Sequence, residues 1–255
     1  MGKFGKILLG ATTAVAVGAG LVWAGGRFSE NRLASQAAED QLASDREVTS
    51  GVATKLLWGD THLHTANSSD AFAAGVRLGP EEALRFGSGE EVTSTTGLKA
   101  QLSRPLDFLV IADHSGALGA TKALKEAPRL LIRDPKLRRW HDMMNNDLEG
   151  QQKATAELIS AVGAGTLTGL APPEVQRKRT LEIWTNHNSI VERYNEPGKF
   201  TAFVGFEYTL MPRGDNMHRV VIFRDGKSRT DQVRPYDPMT EGTEDVDKLW
   251  DYMDA

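Results

Sequence analysis

The sequence predicts an α/β domain, because four apolar runs typical of strands are separated by segments typical of helices. The runs lie at residues 56–58, 106–112, 200–206 and 219–223. Side chains able to bind metal stand at the end of three runs and at the start of the fourth. In α/β sheets and barrels, functional groups cluster in this way at the carboxyl ends of strands.

The first run leads into the segment GDTHLHT at residues 59–65, which we interpret as the end of a strand. Because alternate residues of a strand point to the same face, His62 and His64 would present two imidazoles side by side. A metal ion needs such an arrangement. Taken alone, a His-x-His pair is a weak signal, and solvated or structurally bonded histidines are the competing interpretation.

Candidate ligands also flank the other three runs. Asp113 and His114 follow the second run, Glu207 follows the third, and His218 precedes the fourth. Imidazoles and carboxylates together suit zinc, manganese or iron. Each residue taken singly is also compatible with a capped strand end or a surface position. Four such coincidences in one chain favour a shared metal site.

Taken in order, these segments resemble the PHP (polymerase and histidinol phosphatase) superfamily of metal-dependent phosphoesterases. Within it, the chain is most similar to the family catalogued as domain of unknown function 3604. The resemblance covers roughly residues 55–255. It is carried by GDTHLHT at 59–65, SDAF at 69–72, RPLDF at 104–108, ADH at 112–114, GFEYT at 205–209 and NMHR at 216–219.

The resemblance implies an incomplete, distorted (β/α)7 barrel of the PHP type, similar to a TIM barrel, with two or three divalent ions at the carboxyl ends of its strands. It implies six metal ligands, namely His62, His64, Asp70, His114, Glu207 and His218. The two histidines of the first segment would share one ion with Glu207, which would bridge to a neighbouring ion. Asp70 and His114 would bind a second ion, and His218 a third.

The resemblance gives Asp113 a different role from its neighbours. Its carboxylate would orient a ligand, as acidic residues around metal sites usually do, and we therefore place it in the predicted catalytic machinery. Sites of the PHP type also need ligands from later strands, and no histidine follows His218. The sequence stops inside a helix predicted to start near Glu244. We therefore expect an amino-terminal fragment of a longer gene product, inactive alone, with a naturally degenerate homologue as the alternative.

The amino terminus predicts export. Lys3 and Lys6 precede an apolar stretch at residues 7–23, and the small residues Val22 and Ala24 fit cleavage after position 24. We interpret residues 1–24 as a signal peptide or, since the stretch is at the lower limit for spanning a bilayer, an uncleaved membrane anchor. Either would place the protein in the periplasm or on the membrane, facing away from the cytoplasm. A buried core helix is disfavoured because the stretch is terminal and rich in glycine.

The rest of the chain divides into a polar spacer at residues 25–54 and the domain at 55–255. Helices are predicted at 79–87, 120–127, 135–145, 151–162 and 173–194. The last four form a helical insertion at about 115–198 that could cover the site or present a surface to a partner. On these helices we interpret His141 and His187 as surface or structural residues. Trp140, Trp184 and Trp250 are predicted to be core or helix-packing residues.

Composition excludes several functions. The chain has no cysteine, which excludes disulfides, thiolate zinc sites and cysteine nucleophiles. A net charge of -4 without a basic stripe argues against nucleic-acid binding. No Ser-His-Asp arrangement or nucleophile elbow is visible, so covalent serine catalysis is disfavoured.

The preferred hypothesis is a metal-dependent hydrolase acting on a small molecule. A phosphate ester is implied by the resemblance alone, and the same ions could hydrolyse an amide, a lactone or a sulfate ester. Arg213 and Arg219 could approach an anionic substrate, although solvated charges are an equal alternative. A protein of another class remains open, namely an exported metal-binding or interaction module without turnover.

Overall fold

A mixed four-stranded sheet organises the protein in a computed structural model, which describes residues 56–164, 166, 172–212, 215–243 and 245–254. In chain order the strands are β1 (Gly59–Leu63), β2 (Val92–Thr93), β3 (Lys99–Ala100), β4 (Phe108–Ile111), β5 (Thr201–Leu210) and β6 (Met217–Ile222). The main sheet has the order β1-β4-β5-β6, and β2 and β3 form a separate two-stranded ribbon. The sheet is curled into a half-barrel.

The helices include the five predicted at 79–87, 120–127, 135–145, 151–162 and 173–194, each with bounds within three residues of the prediction. They are α1 (Ser69–Ala73), α2 (Pro80–Gly87), α3 (Ala120–Glu126), a 3-10 helix (Arg129–Leu131), α4 (Pro135–Asn146), α5 (Leu148–Gly163), α6 (Pro173–Tyr194), α7 (Lys227–Thr230), α8 (Pro238–Glu241) and α9 (Asp247–Asp254). Local signals set several boundaries. Asp134 caps α4 by accepting from the backbone N–H groups of Lys136 and Leu137 at 2.8 and 2.9 Å. Pro80 and Pro173 occupy first-turn positions, where a missing N–H costs nothing.

The direction of the strands confirms an α/β fold and adds one departure from a regular barrel. β1 pairs with β4, and β4 with β5, in parallel. The connection from β4 to β5 contains α3 to α6. β6 instead runs antiparallel to β5, whereas a regular (β/α) barrel repeats parallel strands.

Two predicted strand boundaries are wrong. Leu57 and Trp58 precede β1 and are more than half exposed, because pairing with β4 begins only at Gly59 opposite Phe108. β5 does not end at Phe206 but continues to Leu210. The antiparallel partner β6 provides hydrogen bonds for these added residues, with Glu207 opposite Val220. The candidate ligand Glu207 therefore lies within a paired strand rather than at its end.

The main core lies between the sheet and α6. Trp184 of α6 is 1% exposed and meets the ring of Phe206 edge-on, with centroids 6.1 Å apart. A second cluster joins α4 and α5 around Trp140, which is fully buried. The prediction that these tryptophans are core residues is confirmed. Trp250 is 47% exposed and lies outside the core, whereas the residue before it, Leu249, is fully buried.

Both histidines of the helical segment are structural, as predicted. His141 is buried, with its Nε2 atom 3.0 Å from the Ala127 carbonyl oxygen. His187 is buried and stacks on Trp184, with the ring planes 6° apart. Neither belongs to a cluster of potential metal ligands among the described residues.

The predicted leader at residues 1–24 and the spacer at 25–54 lie outside the described residues. Within the described part, no helix combines the length and apolar character needed to cross a bilayer. Export and the choice between signal peptide and anchor therefore stay predictions.

We predict that Gly205→Ala destabilises the protein by about 1–3 kcal/mol. A methyl group at this position would lie 2.5 Å from Cγ1 of Val110 and 3.0 Å from the Val221 carbonyl oxygen, so the Val110 side chain and the backbone of β6 would have to shift. Urea denaturation followed by circular dichroism measures the free energy of unfolding. Gly116→Ala is the control, since its added carbon would meet its nearest neighbour at 3.6 Å. Equal stability of the two variants would contradict the prediction.

We predict that His187 makes the protein less stable in mild acid. Burial lowers the pKa of His187 from 6.5 to about 4, so the folded protein keeps the ring neutral where the unfolded chain already binds a proton. The unfolding free energy should fall by about 2 kcal/mol between pH 7 and pH 5 through this residue. His187→Phe, which keeps a ring on Trp184, should remove that part of the pH dependence. Parallel pH profiles for the two proteins would show the prediction to be wrong.

Candidate metal centre

The structure brings all six predicted ligands together. β1 carries His62, and His64 follows its last residue; Asp70 lies in the first turn of α1. His114 follows β4 and forms an isolated parallel bridge with the backbone of Glu207 in β5. His218 is the second residue of β6, close to Glu207 because the two strands are hydrogen-bonded neighbours.

The centre of the cluster is the carboxylate of Glu207, which is 2% exposed. Its Oε2 atom lies 3.0 Å from His62 Nε2, 2.9 Å from His64 Nε2 and 3.2 Å from His114 Nδ1. Its Oε1 atom lies 2.8 Å from His218 Nδ1. One buried carboxylate therefore contacts four imidazoles.

The four imidazoles form a row around that carboxylate. Ring centroids are 4.9 Å apart from His62 to His64, 4.8 Å from His64 to His114 and 5.2 Å from His114 to His218. The proximity of the first pair agrees with the alternation expected for residues two apart at a strand. Since the other pairs are brought together by strand pairing, local sequence spacing does not reveal them.

Asp70 completes a second part of the cluster. Its Oδ2 atom lies 2.9 Å from His64 Nδ1 and 3.5 Å from His114 Nε2. The side chain of Asp70 is 48% exposed, whereas those of His64 and His114 are 16% exposed. Asp70 therefore stands at the solvent-facing side of the cluster.

Three overlapping groups could each hold a metal ion, with ligand atoms within 4.8 Å of one another. They are His62, His64 and Glu207; His64, Asp70 and His114; and His114, Glu207 and His218. These groups parallel the division among three ions that the resemblance implies. The metal's identity and the number of ions stay predictions.

Two buried atoms support a fit to metal. His64 Nε2 and Glu207 Oε2 have no hydrogen-bond partner of acceptable geometry, although they lie 2.9 Å apart. Buried polar atoms are normally satisfied, and a shared cation would satisfy both. Ligand atoms about 2.1 Å from a tetrahedral zinc lie about 3.4 Å apart, so shifts of a few tenths of an ångström would suffice.

The electrostatics of the cluster also favour a cation. Burial opposes ionisation of Glu207, but the imidazoles of His64 and His62 lower the pKa of its carboxyl to about 2. Burial likewise disfavours the charged form of Asp70, yet His114 and His64 hold its pKa well below the usual range. Burial lowers the pKa of His64, but Asp70 and Glu207 raise it on balance to about 10. Both carboxylates thus stay ionised and draw positive charge to this point.

Asp113 lies behind the cluster rather than in it. It is 5% exposed and accepts hydrogen bonds from the backbone N–H of Thr65 at 2.5 Å and from Thr65 Oγ1 at 2.7 Å. Burial raises the pKa of Asp113, an effect that the Thr65 bonds oppose. Since Thr65 follows His64 directly, Asp113 fixes the backbone that carries a candidate ligand. Among the described hydrogen bonds, those of Asp113 go to Thr65, the residue after His64, and none goes to an imidazole.

Sequence reasoning missed two hydroxyl groups. Thr209 Oγ1 lies 2.6 Å from His114 Nδ1 and 3.3 Å from His218 Nδ1. Ser68, which is fully buried, accepts from the His114 backbone N–H at 3.2 Å. Alternation along β5 could have found Thr209, two residues after Glu207 and on the same face. Ser68 lies in the loop before α1, where no periodic signal marks it.

Two arginines were expected as candidates to approach an anionic substrate. Arg213 lies outside the described residues. Arg219 is exposed and donates to the carbonyl oxygen of His218 at 2.7 Å. A role in binding an anionic substrate stays a prediction for both.

Comparison with known proteins gives a family match over most of the chain. The family model described as "Protein of unknown function (DUF3604)" matches residues 52–255. No curated protein and no solved structure matches the chain. The matched region contains all six candidate ligands and Asp113.

We predict that Asp113→Asn weakens metal binding about 10–100-fold, the usual effect of removing a group that supports a ligand. Asparagine offers only one acceptor oxygen, so one of the two Thr65 donors would lose its partner. Competition with a chelating dye measures the affinity. Asp134→Asn, which makes the same change at the cap of α4, is the matched control and should bind metal as tightly as the unmodified chain. Unchanged affinity in Asp113→Asn would rule out the positioning role.

Proposed function

The chain belongs to the DUF3604 family, and we propose that it is a metal-dependent hydrolase that uses two or three divalent ions against a phosphate ester. The observation that carries the proposal is the buried Glu207 carboxylate, which contacts four imidazoles at 2.8–3.2 Å. Zinc, manganese and iron suit this donor set. Bound ions of this kind supply hydroxide at neutral pH and neutralise charge on phosphate oxygens.

The residues of the metal centre would have different roles. Glu207 belongs to two of the three ligand groups and could bind two neighbouring ions through its two carboxylate oxygens. Such pairing is typical of sites that hydrolyse phosphate esters. Asp113 would keep the segment after His64 in place through Thr65.

The ligand groups have an open side, which favours turnover over a purely structural site. Each group offers three protein ligands, and structural zinc sites usually have four. The side chains of His62, Asp70 and His218 are 47%, 48% and 38% exposed. Water and a substrate could therefore reach the ions from the solvent side.

The choice of a phosphate ester rests on the resemblance to the PHP superfamily. The same resemblance supports a distorted barrel of the PHP type, with His64 one residue and His114 three residues after the parallel strands β1 and β4. Residues 1–24 support export to the periplasm or attachment to the membrane. A non-catalytic, exported metal-binding module is the competing function.

We expect the purified full chain to contain divalent metal, measured by elemental analysis after dialysis. His62→Ala/His64→Ala and Glu207→Gln should each lose most of it, because each change removes ligands from two of the three groups. His141→Gln is the matched control, since His141 is a buried histidine of α4 outside the groups. Circular dichroism verifies that each variant is folded.

Hydrolysis of 4-nitrophenyl phosphate and bis(4-nitrophenyl) phosphate by the same proteins tests turnover. Release of 4-nitrophenol that requires metal and disappears in Glu207→Gln would support the enzyme. Metal content without hydrolysis of any ester would favour the binding module. Protein that neither contains nor takes up metal would overturn both.

A further inference from the structure

A cavity of about 260 Å³ opens beside the candidate metal centre. Three of the candidate ligands, Asp70, His114 and His218, contribute to its lining. The other three are not among the described residues that line it. The cavity therefore meets the second and third ligand groups on the side where Asp70 and His218 are open to solvent.

The lining away from these ligands is mostly apolar. Leu158 and Ile159 of α5 contribute side chains that are 5% and 36% exposed. Met211, which follows β5, and Met239 of α8 add two flexible thioether chains. Methionine side chains adapt their shape to the group they contact, so this lining can accommodate more than one apolar shape.

The charge of the lining limits what can bind there. Among the described lining residues none is a lysine or an arginine, and the ionisable ones are the three candidate ligands. An anionic group would gain no partner from the apolar side chains, whereas the ions would bind it. A polyhydroxylated or charged substituent placed against Leu158 and Ile159 would lose water without gaining partners.

We propose that this cavity binds an apolar substituent, aromatic or aliphatic, of the phosphate ester hydrolysed at the metal centre. The inference rests on the proposed function and specifies its substrate class. The ions would bind the phosphate group, while Ile159, Leu158 and Met239 would cover the hydrocarbon part. α5, which lies in the predicted helical insertion, thereby acquires a role in substrate selection.

Two non-hydrolysable probes test the proposal by binding alone. Isothermal titration calorimetry compares phenylphosphonate with methylphosphonate on the manganese-loaded full chain. Phenylphosphonate should bind about tenfold more tightly, because the ring gains apolar contacts that a methyl group cannot make. The two probes share the phosphonate group, so their difference reports the cavity rather than the ions.

Ile159→Asn should weaken phenylphosphonate about tenfold and leave methylphosphonate unchanged. Leu181→Asn is the matched control, since Leu181 is an exposed leucine of α6, 43% accessible, and is not among the described lining residues. It should change neither affinity. If Ile159→Asn does not fold, Met239→Gln tests the same lining from α8, where Met239 is 38% exposed.

The outcomes separate this inference from the proposed function. Equal affinities for the two phosphonates would overturn the apolar subsite and leave the hydrolase proposal standing. Equal weakening of both probes by Ile159→Asn would also overturn it, because the effect would then act through the ions. Failure of both phosphonates to bind the metal-loaded chain would contradict the phosphoesterase function, and the inference with it.

Discussion

The rest of the structure depends on the need to pair one buried charge. The Glu207 carboxylate is 2% exposed and stays ionised, and an isolated charge in that position would be very costly. Four imidazole nitrogens lie within 3.2 Å of its two oxygens. Because two of the three ligand groups include Glu207, a cation bound in either of them would contact this carboxylate. The carboxylate thus links the fold of the sheet to the chemistry of the site.

The elements packed around β5 support the position of Glu207. β5 lies between β4 and β6, and Gly205 allows both neighbours to approach closely. Trp184 packs on the sheet from α6, so Glu207 stands on a strand supported by the main core. Functional groups on rigid elements keep their geometry better than groups on loops. The opposite side is open, and there α5 and α8 contribute apolar side chains beside the candidate ligands.

Individual elements show how far sequence reasoning reaches. The helix predicted at 173–194 has the observed bounds of α6, since proline at its start and helical periodicity are local signals. The predicted end of β5 is wrong because its last residues pair with β6. The local sequence pattern does not reveal this antiparallel partner. Thr209 was missed, although alternation with Glu207 marks it. Ser68, in a loop, had no comparable signal.

The sequence by itself determined the kinds of chemistry available: imidazoles and carboxylates next to the apolar runs, no thiols, and helices with recognisable starts and ends. Only the tertiary structure decided that Glu207 lies inside a paired strand, that its carboxylate faces four histidines, and that Asp113 acts on Thr65 rather than on an imidazole. It also decided that α5 lines a cavity beside the site. The physical reason is that residue type and periodicity are local properties. Burial, strand pairing and the convergence of side chains arise from contacts between segments far apart in the chain.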